Sequence, residues 1–410
     1  MKKVLYFAAV CAALVGCAKV EVREYVPDAN PIVFNSPVVG SSTKAAIVGN
    51  TYPQKSFSVW ALYTNTDLAT DGTDKYLETA VYTKEEFLKG VKFNYVHATT
   101  DYFAGNAFWP KAVAGGSGKP KLHFHAISPA LAAEGDTGTL VDKDGTDAGS
   151  GTVTHRWVAG TGEDAYVGFK VTGFAIESTP SEQRDLLTSS ISFNQYNYYV
   201  PGNVGSFTEP DSGTASSAYT GNDITFRHAL ASIRFDAKLG SADASVSEYY
   251  ITKIELYGHK TTGTFTESLT PNGYSFEDEM RWDVSGGVAV ASDSKIDIGI
   301  TNTTSALNRD GSTKQALYNG ATGTYLVIPQ NLNEVYIVIT YSEKIGDITN
   351  DGLTATCSLA STGGKVSGTT DNYWYPNRRY TYTITINRNQ IILDPIVEDW
   401  TNVTDRNLGI

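Results

Sequence analysis

The N-terminal segment carries the residue with the most clearly defined chemistry, a cysteine thiol placed for acylation. Met1–Lys3 is a short basic start, and Val4–Val15 is an apolar run too short to cross a bilayer. Gly16 then puts a small residue directly before Cys17, as lipoprotein signal peptidase requires. The pattern predicts a signal peptide over residues 1–17 and attachment of acyl chains such as palmitate at Cys17. The mature chain would be extracytoplasmic and held to a bacterial membrane by lipid.

Three further groups of side chains have spacings that suit a ligand. His123 and His125 share one face of a predicted strand and could hold a metal, but no third ligand is near in sequence, so a structural role is favoured. Asp142–Asp147 resembles a calcium loop, yet its glycine is at the fourth position and the acidic residue at the twelfth is missing. We interpret it as a solvated loop, with weak calcium binding as the alternative. A row of tyrosines suits either sugar stacking or packing, and packing is favoured: Tyr196, Tyr198 and Tyr199.

No motif of a known catalytic chemistry is present in the sequence. It contains no nucleophile elbow, zinc-protease motif, phosphate loop or dinucleotide fingerprint. We therefore expect neither enzymatic activity nor a cofactor. A net charge of −12 without a basic cluster argues against nucleic acid. Of the three cysteines, Cys11 leaves with the signal peptide and Cys17 is lipidated, so Cys357 is expected to be a free thiol.

The elements that position these residues are predicted to be strands. Aromatic residues are plentiful, with 25 Tyr and 16 Phe, and the apolar segments are short and bounded by turn residues. Only Lys84–Lys89 resembles a helix, Glu134–Gly151 suggests a long surface loop, and Gly202–Asn222 suggests a domain boundary. The pattern favours an all-β sandwich class, on the strength of four segments: Ser58–Tyr63, Lys121–Ile127, Ile233–Ala237 and Val335–Tyr341.

A series of short motifs, taken in order, resembles the fimbrillin family, the pilins and pilin-like lipoproteins that build type V pili. The match covers nearly the whole mature chain, and the ordered set behind a lipobox is more specific than any single motif. The aromatic–proline pairs are expected to seat a large ring ahead of a strand, and His228 to bond locally. The motifs are Phe108–Pro110, Lys121–Pro129, Asp185–Leu187, Phe226–Ile233, Thr324–Gln330, Trp374–Ile384 and Val397–Trp400.

The resemblance implies two tandem β-sandwiches of transthyretin-like topology. A propeptide over residues 18–44 would be followed by an N-terminal sandwich over 45–218. The C-terminal sandwich over 219–410 would begin with a strand from Phe226 to Asp236 and end in a tail. Near the end of that sandwich, Gln390–Trp400 is predicted as the last strand, broken at Pro395.

The resemblance also implies assembly by exchange of strands between subunits. In type V pili a lipoprotein precursor reaches the outer membrane, a trypsin-like protease removes the first strand, and another subunit supplies a replacement. Pro31–Asn35 is the candidate first strand, with Ile32 and Phe34 on one face. The candidate cut lies between Lys44 and Ala45, where the family commonly carries arginine before the cut. The candidate donor is the C-terminal tail, through Val403, Leu408 and Ile410.

We compare three candidate functions for this chain. The favoured one is a pilus subunit in a surface fimbrium, with other pilins as partners and a host glycan or protein as its receptor. The second is a surface lipoprotein that binds glycan without polymerising, in which Lys44 is an ordinary loop lysine that is never cut. The third is a secreted hydrolase, which would need converging carboxylates or a nucleophile in a cleft, and the sequence offers no such motif.

Overall fold

The computed structural model describes most of the chain from residue 31 onward. The described ranges are 31–39, 55–64, 85–96, 102–110, 121–142, 144–157, 161–164, 166–195, 207–208, 215–216, 222–240, 247–269, 280–291, 295–319, 323–360, 372–387 and 390–399. No helix within them is long and apolar enough to cross a membrane.

The described residues form strands and two short 3-10 turns, Gly162–Asp164 and Pro180–Glu182. This confirms the predicted all-β class. The first fourteen strands are β1 (Pro31–Asn35), β2 (Val38–Val39), β3 (Ser56–Thr64), β4 (Glu85–Val96), β5 (Tyr102–Phe108), β6 (Lys121–Ser128), β7 (Thr137–Val141), β8 (Ala148–Arg156), β9 (Gly168–Ala175), β10 (Leu187–Ser189), β11 (Ser192–Gln195), β12 (Phe207–Thr208), β13 (Ala215–Ser216) and β14 (Thr225–His228). The remaining strands are β15 (Ala231–Leu239), β16 (Ser247–Tyr257), β17 (Thr262–Glu267), β18 (Met280–Asp283), β19 (Ile296–Asp297), β20 (Gln315–Ala316), β21 (Thr324–Val327), β22 (Tyr336–Ile345), β23 (Ile348–Ser358), β24 (Arg378–Asn387) and β25 (Gln390–Asp399).

The first sheet closes on itself through the N-terminal segment. Its strand order is β1-β5-β4-β3-β6-β10-β14-β2, with β11 added beside β6. Since β1 and β2 are consecutive in the chain and stand at the two ends of this order, residues 31–39 join the ends into a barrel. We call Pro31–Val39 the closing strand.

Strand β3 shows how the cores are arranged, because every one of its nine residues is buried. Phe57, Val59 and Ala61 point into the barrel, where they join the closing strand in one apolar cluster. Trp60 and Leu62 point outward into a second and larger cluster that continues through the C-terminal half of the chain. A strand buried on both faces is typically rich in consecutive apolar residues, as Val59–Tyr63 is within β3.

The second half of the chain is joined to the first by a shared sheet. Its order is β18-β17-β9-β8-β7, and the antiparallel pairing of β9 with β17 places strands from both halves side by side. Two further sheets, β20-β15-β24-β25 with β21 beside β15 and β19-β16-β22-β23, contribute to the same large core. The division into two domains at residues 218 and 219 stays a prediction.

Several local predictions were wrong, each because tertiary pairing overrode a local signal. The segment that resembled a helix belongs to β4 from residue 85 onward. The supposed surface loop at Glu134–Gly151 contains β7 and the start of β8. The expected single strand from Phe226 to Asp236 is interrupted at Ala229 and Leu230, so that β14 pairs in the first sheet and β15 in another.

The last strand also differs from its prediction. Pairing of β25 with β24 continues through Pro395, which lies opposite Tyr382. Since β25 stands at the edge of its sheet, a residue without an N–H group can be accommodated on the side that faces no neighbour.

Candidate functional site

The closing strand lies in a groove between two strands that do not otherwise meet. On one side β1 pairs antiparallel with β5, and Val33, Phe34 and Asn35 lie opposite Ala104, Phe103 and Tyr102. On the other side the segment runs parallel to residues 222–226, first through a bridge between Phe34 and Asn222 and then through pairing of β2 with β14. Removal of the closing strand would therefore leave two free strand edges.

We call the two sides of the groove its walls: β5 is the first, and residues 222–226, which include the start of β14, are the second. Main-chain and side-chain hydrogen bonds fix the closing strand at the second wall. The Asn35 N–H donates to the Asn222 carbonyl oxygen at 3.0 Å, and the Asn222 N–H donates to the Val33 carbonyl oxygen at 3.0 Å. The Asn222 side-chain amide donates to the same Val33 oxygen at 2.8 Å, and the Asn35 amide donates to the Asp223 carboxylate at 2.6 Å. A replacement strand could make the main-chain bonds with any residue other than proline at the donating position.

Apolar side chains of the closing strand complete the barrel interior. Ile32, Phe34 and Val39 are all fully buried. The Phe34 ring packs edge-on against three other rings, with centroids 4.8 Å from Phe93, 5.1 Å from Phe124 and 5.6 Å from Phe57. Burial of three large apolar side chains contributes roughly 5 to 9 kcal/mol to keeping the strand in place.

The wall formed by β14 is tied to the C-terminal half through a buried carboxylate. The Arg227 guanidinium lies 3.3 Å from Glu267 Oε1, and the Thr188 hydroxyl donates to the same oxygen at 3.0 Å. His125 Nε2 lies 3.1 Å from Glu267 Oε2, and its Nδ1 lies 3.0 Å from His155 Nε2. Burial, together with the neighbouring His125, lowers the pKa of His155 well below its ordinary value.

A second polar group gathers three of the sequence motifs at the end of the same wall. The His228 ring pairs with the Asp185 carboxylate, and the His228 backbone N–H donates to the Asn377 side-chain oxygen at 3.3 Å. Asn377 has a φ of 56°, and its own N–H donates to the Leu230 carbonyl oxygen at 3.0 Å. The expectation that His228 bonds locally was wrong, because its ring partner is 43 residues away in sequence.

The two aromatic–proline motifs depart in part from the expectation of a ring seated ahead of a strand. Trp109, before Pro110, directly follows β5, and Tyr375, before Pro376, is only partly buried ahead of β24, where the fully buried ring is that of Trp374. Trp109 is buried with its ring centroid 5.9 Å from that of Phe124. Trp374 is also buried, and its indole N–H donates to the Tyr382 hydroxyl at 2.8 Å. Both rings therefore have structural roles, the first in the barrel and the second in the large core.

The histidine pair does not form a metal centre with other described side chains. Leu122 and Phe124 face the barrel interior, so the alternating His123 and His125 face outward from it. His123 Nε2 is 2.8 Å from the Thr64 hydroxyl, and burial lowers the pKa of His123 to about 3. Within the described part of the chain, no three His, Cys, Asp or Glu side chains meet as a metal site requires.

The acidic loop is organised by its own backbone. Thr146 and Asp147 donate their N–H groups to Asp142 Oδ1 at 3.0 and 3.4 Å. Since these bonds engage the Asp142 carboxylate, the geometry is that of a self-capped turn.

Other predicted site residues lie outside the described residues. They are Cys17, Lys44, Ala45, Val403, Leu408 and Ile410, together with the tyrosines Tyr196, Tyr198 and Tyr199. Conversely, sequence reasoning missed Asn222 and Glu267, because a single asparagine after a glycine and a single glutamate at a strand end carry no distinguishing signal.

The fold and the groove define an all-β protein whose first sheet is closed by its own N-terminal segment. A family model described as fimbrillin-like matches residues 43–400. The chain belongs to the fimbrillin-like family, which confirms the resemblance inferred from the motifs.

Solved structures similar to this chain include two fimbrial proteins. A fimbrial protein from Bacteroides vulgatus ATCC 8482 has 17% identity and a TM-score of 0.47, with 84% of this chain and 93% of that chain covered. The tip fimbrial protein Mfa3 from Porphyromonas gingivalis, with a C-terminal truncation, has 10% identity and a TM-score of 0.32, with 85% of this chain and 95% of that chain covered. No curated protein matches the chain.

Proposed function

We propose that this protein is a structural or adhesive subunit of a bacterial cell-surface fimbrium, assembled when proteolysis releases the closing strand and another subunit supplies a replacement. Membership of the fimbrillin-like family supports the pilus role and the cell-surface location. The single observation that carries the exchange mechanism is that, in the part of the chain that the structure describes, residues 31–39 join the two ends of the first sheet's strand order. The partners are other pilin subunits, a trypsin-like protease and a host glycan or protein receptor.

An open groove would be a strong acceptor for a strand. Without the closing strand, β5 and residues 222–226 would expose unpaired N–H and C=O groups, and the ring cage around Phe34 would face water. A donor strand supplies hydrogen bonds and apolar burial at once. The precursor is therefore expected to be monomeric and the processed chain to polymerise almost irreversibly.

The processing step is tested by limited digestion of the folded precursor with a trypsin-like protease. We expect cleavage between Lys44 and Ala45, giving a product of residues 45–410 that oligomerises. Lys44→Ala should prevent both events. Lys55→Ala is the matched control, because Lys55 is an exposed lysine beside β3, and its replacement should change neither event. Absence of a cut near Lys44, or a cut product that stays monomeric at high concentration, would contradict the proposal and favour the glycan-binding lipoprotein.

The donor is proposed to be the C-terminal tail, which carries Val403, Leu408 and Ile410. Deletion of residues 401–410 should abolish oligomerisation while leaving cleavage at Lys44 intact. Electrophoresis of unboiled, surface-sheared material gives the readout. A ladder of stable oligomers is expected for the intact chain, and a lone monomer for the deletion variant.

Before processing, the precursor is proposed to be attached to the outer membrane through acylated Cys17. We expect Cys17→Ala to abolish membrane attachment and surface display, because the thiol is the site of acylation. Cell fractionation followed by immunoblotting measures this. Normal membrane fractionation of the variant would overturn the lipoprotein assignment.

A further inference from the structure

The two walls of the groove differ in how well their own sheet supports them. The wall formed by β5 is seven residues long and pairs with β4, which has twelve residues. The opposite wall, β14, has four residues, and its neighbour β10 has only three. Strand β10 pairs with β14 at three positions and with β6 at two. Ladder hydrogen bonds alone therefore hold the second wall weakly once the closing strand has left.

Side chains from the C-terminal half supply the missing support. Glu267 on β17 is fully buried, and its Oε1 receives the Thr188 hydroxyl of β10 while lying 3.3 Å from the Arg227 guanidinium of β14. One carboxylate thus contacts both short strands of the wall. The Trp282 indole N–H adds a bond to the Ala229 carbonyl oxygen at 2.7 Å, just beyond β14.

The local backbone leaves room for this carboxylate. Gly168 on β9 has a φ of 115°, and a Cβ atom there would lie 2.8 Å from Glu267 Oε2. His125 approaches the same oxygen from β6 at 3.1 Å. Because a buried charge is costly unless it is paired and hydrogen-bonded, these contacts confine Glu267 to a single arrangement.

We infer that Glu267 is a positioning residue for strand capture: it holds β10 and β14 at the spacing that an incoming strand must pair with. This inference rests on the proposed function, since it concerns the open groove. While the closing strand is bound, β2 pairs with β14 and supports the wall from the other side. The contribution of Glu267 is therefore greatest in the processed chain.

The test measures strand capture by the full chain after the bond at Lys44 has been cut. A fluorescein-labelled peptide of residues 30–40, which contains the closing strand, is added in excess. The label bound to the protein is followed by size-exclusion chromatography. Glu267→Gln keeps the shape of the side chain and removes its charge. We expect the variant to capture the peptide about tenfold more slowly than wild type, since the buried Arg227 guanidinium no longer faces the charge of Glu267. Thermal unfolding of the uncut precursor is recorded in parallel.

Glu255→Gln is the matched control. Glu255 is likewise a buried carboxylate on a strand, paired with lysine instead of arginine, but it belongs to β16 in a sheet without groove strands. This variant should lower the unfolding temperature and leave capture unchanged. Thr188→Val, which removes the hydroxyl contact with little change of shape, gives a milder variant should Glu267→Gln fail to fold, and it should slow capture about threefold.

The possible outcomes distinguish the positioning role of Glu267 from the proposed function. Slower capture by the Glu267 and Thr188 variants, with normal capture by the Glu255 variant, supports the inference. Normal capture by the Glu267 or Thr188 variant overturns the positioning role while the proposed function stands. Equal slowing by the Glu255 variant also overturns it, since general destabilisation would then explain the effect. Failure of the cut wild-type chain to capture any peptide overturns the proposed function as well.

Discussion

Phe34 helps to retain the closing strand through its contacts with other aromatic rings. Its ring is fully buried, and three phenylalanine rings surround it edge-on within 5.6 Å. Such pairs contribute about 0.5 to 1.5 kcal/mol each beyond the area they bury. The same pocket would select a large apolar side chain in any replacement strand.

We expect Phe34→Ala to lower the free energy of unfolding of the precursor by about 3 to 5 kcal/mol, because the ring cage would be left empty. Denaturant unfolding followed by tryptophan fluorescence measures the change. Val33→Ala on the same strand is the control. Val33 is only partly buried and lies outside the barrel core. Val33→Ala should therefore lower the free energy of unfolding by well under half as much as Phe34→Ala. Similar losses of unfolding free energy for both variants would contradict the stabilising role of the ring cage around Phe34.

Cys357 illustrates a residue whose chemistry is suppressed by its surroundings. It is a free thiol on β23, opposite Ile337, and packs against the large core. Burial raises the pKa of its thiol, so little thiolate forms at neutral pH.

We expect Cys357→Ser to change the free energy of unfolding by no more than about 1 to 2 kcal/mol. Thiol titration of native and unfolded protein should show slow native labelling, and an intermolecular disulfide in native material would overturn this.

At the scale of elements, the break between β14 and β15 decides how the sheets are connected. Ala229 and Leu230 carry the chain from the barrel to the next sheet, and the Ala229 N–H donates to the Leu186 carbonyl oxygen at 2.8 Å. Asn377, in the turn just before β24, bonds to His228 at the end of β14 and to Leu230 within the break. Its positive φ places these bonding groups where an ordinary extended residue could not.

We expect Asn377→Gly to lower the free energy of unfolding by about 1 to 3 kcal/mol through loss of the amide contact to His228. Asn377→Ala should cost about 1 kcal/mol more than Asn377→Gly, since alanine tolerates a positive φ poorly whereas glycine tolerates it well. Chemical denaturation of both variants gives the comparison. If alanine were tolerated as well as glycine, the backbone at residue 377 would not be under the constraint described.

At the scale of the whole molecule, the two halves are not independent. Strands β9 and β17 pair across them, and a single large core contains Trp60 from the first half and Trp282 from the second. The polar contacts of Glu267 cross the same junction. Loss of order in one half is therefore expected to weaken the other.

Acid stability is also a property of the whole molecule, because buried histidines are distributed through it. Burial lowers the pKa of His123 and of His259 to about 3, and the pKa of His155 is likewise lowered. These groups stay neutral in the folded protein but bind a proton in the unfolded chain below their ordinary pKa of 6.5. Stability is therefore lost as pH falls below 6.5, by about 1.4 kcal/mol per pH unit for each histidine.

Urea unfolding at pH 6 and pH 5 measures this slope, in a range where most unfolded carboxylates remain ionised. His259→Phe provides the comparison, because the His259 ring lies edge-on to Tyr325 in an apolar setting. Its slope should be smaller than that of wild type by about 1.4 kcal/mol per pH unit. An unchanged slope would show that His259 already binds a proton in the folded state.

The sequence by itself determined the all-β class, the family and the bounds of the first strand. These features depend on local patterns: period-two alternation, turn residues and short motifs in a fixed order. Pro31–Asn35 was predicted as a short strand with Ile32 and Phe34 on one face, and the structure has a strand with these bounds in which both residues are buried. Acylation at Cys17 stays a prediction of the same local kind, from a signal that depends only on adjacent residues.

Tertiary structure alone decided which strands meet. Residues 31–39 close a barrel against strands about 70 and 190 positions away, and no local pattern encodes such a register. The same applies to Glu267, whose partners Thr188, Arg227 and His125 come from three strands of another sheet. A buried charge is specified by the groups that surround it in space, and those neighbours exist only once the sheets have packed.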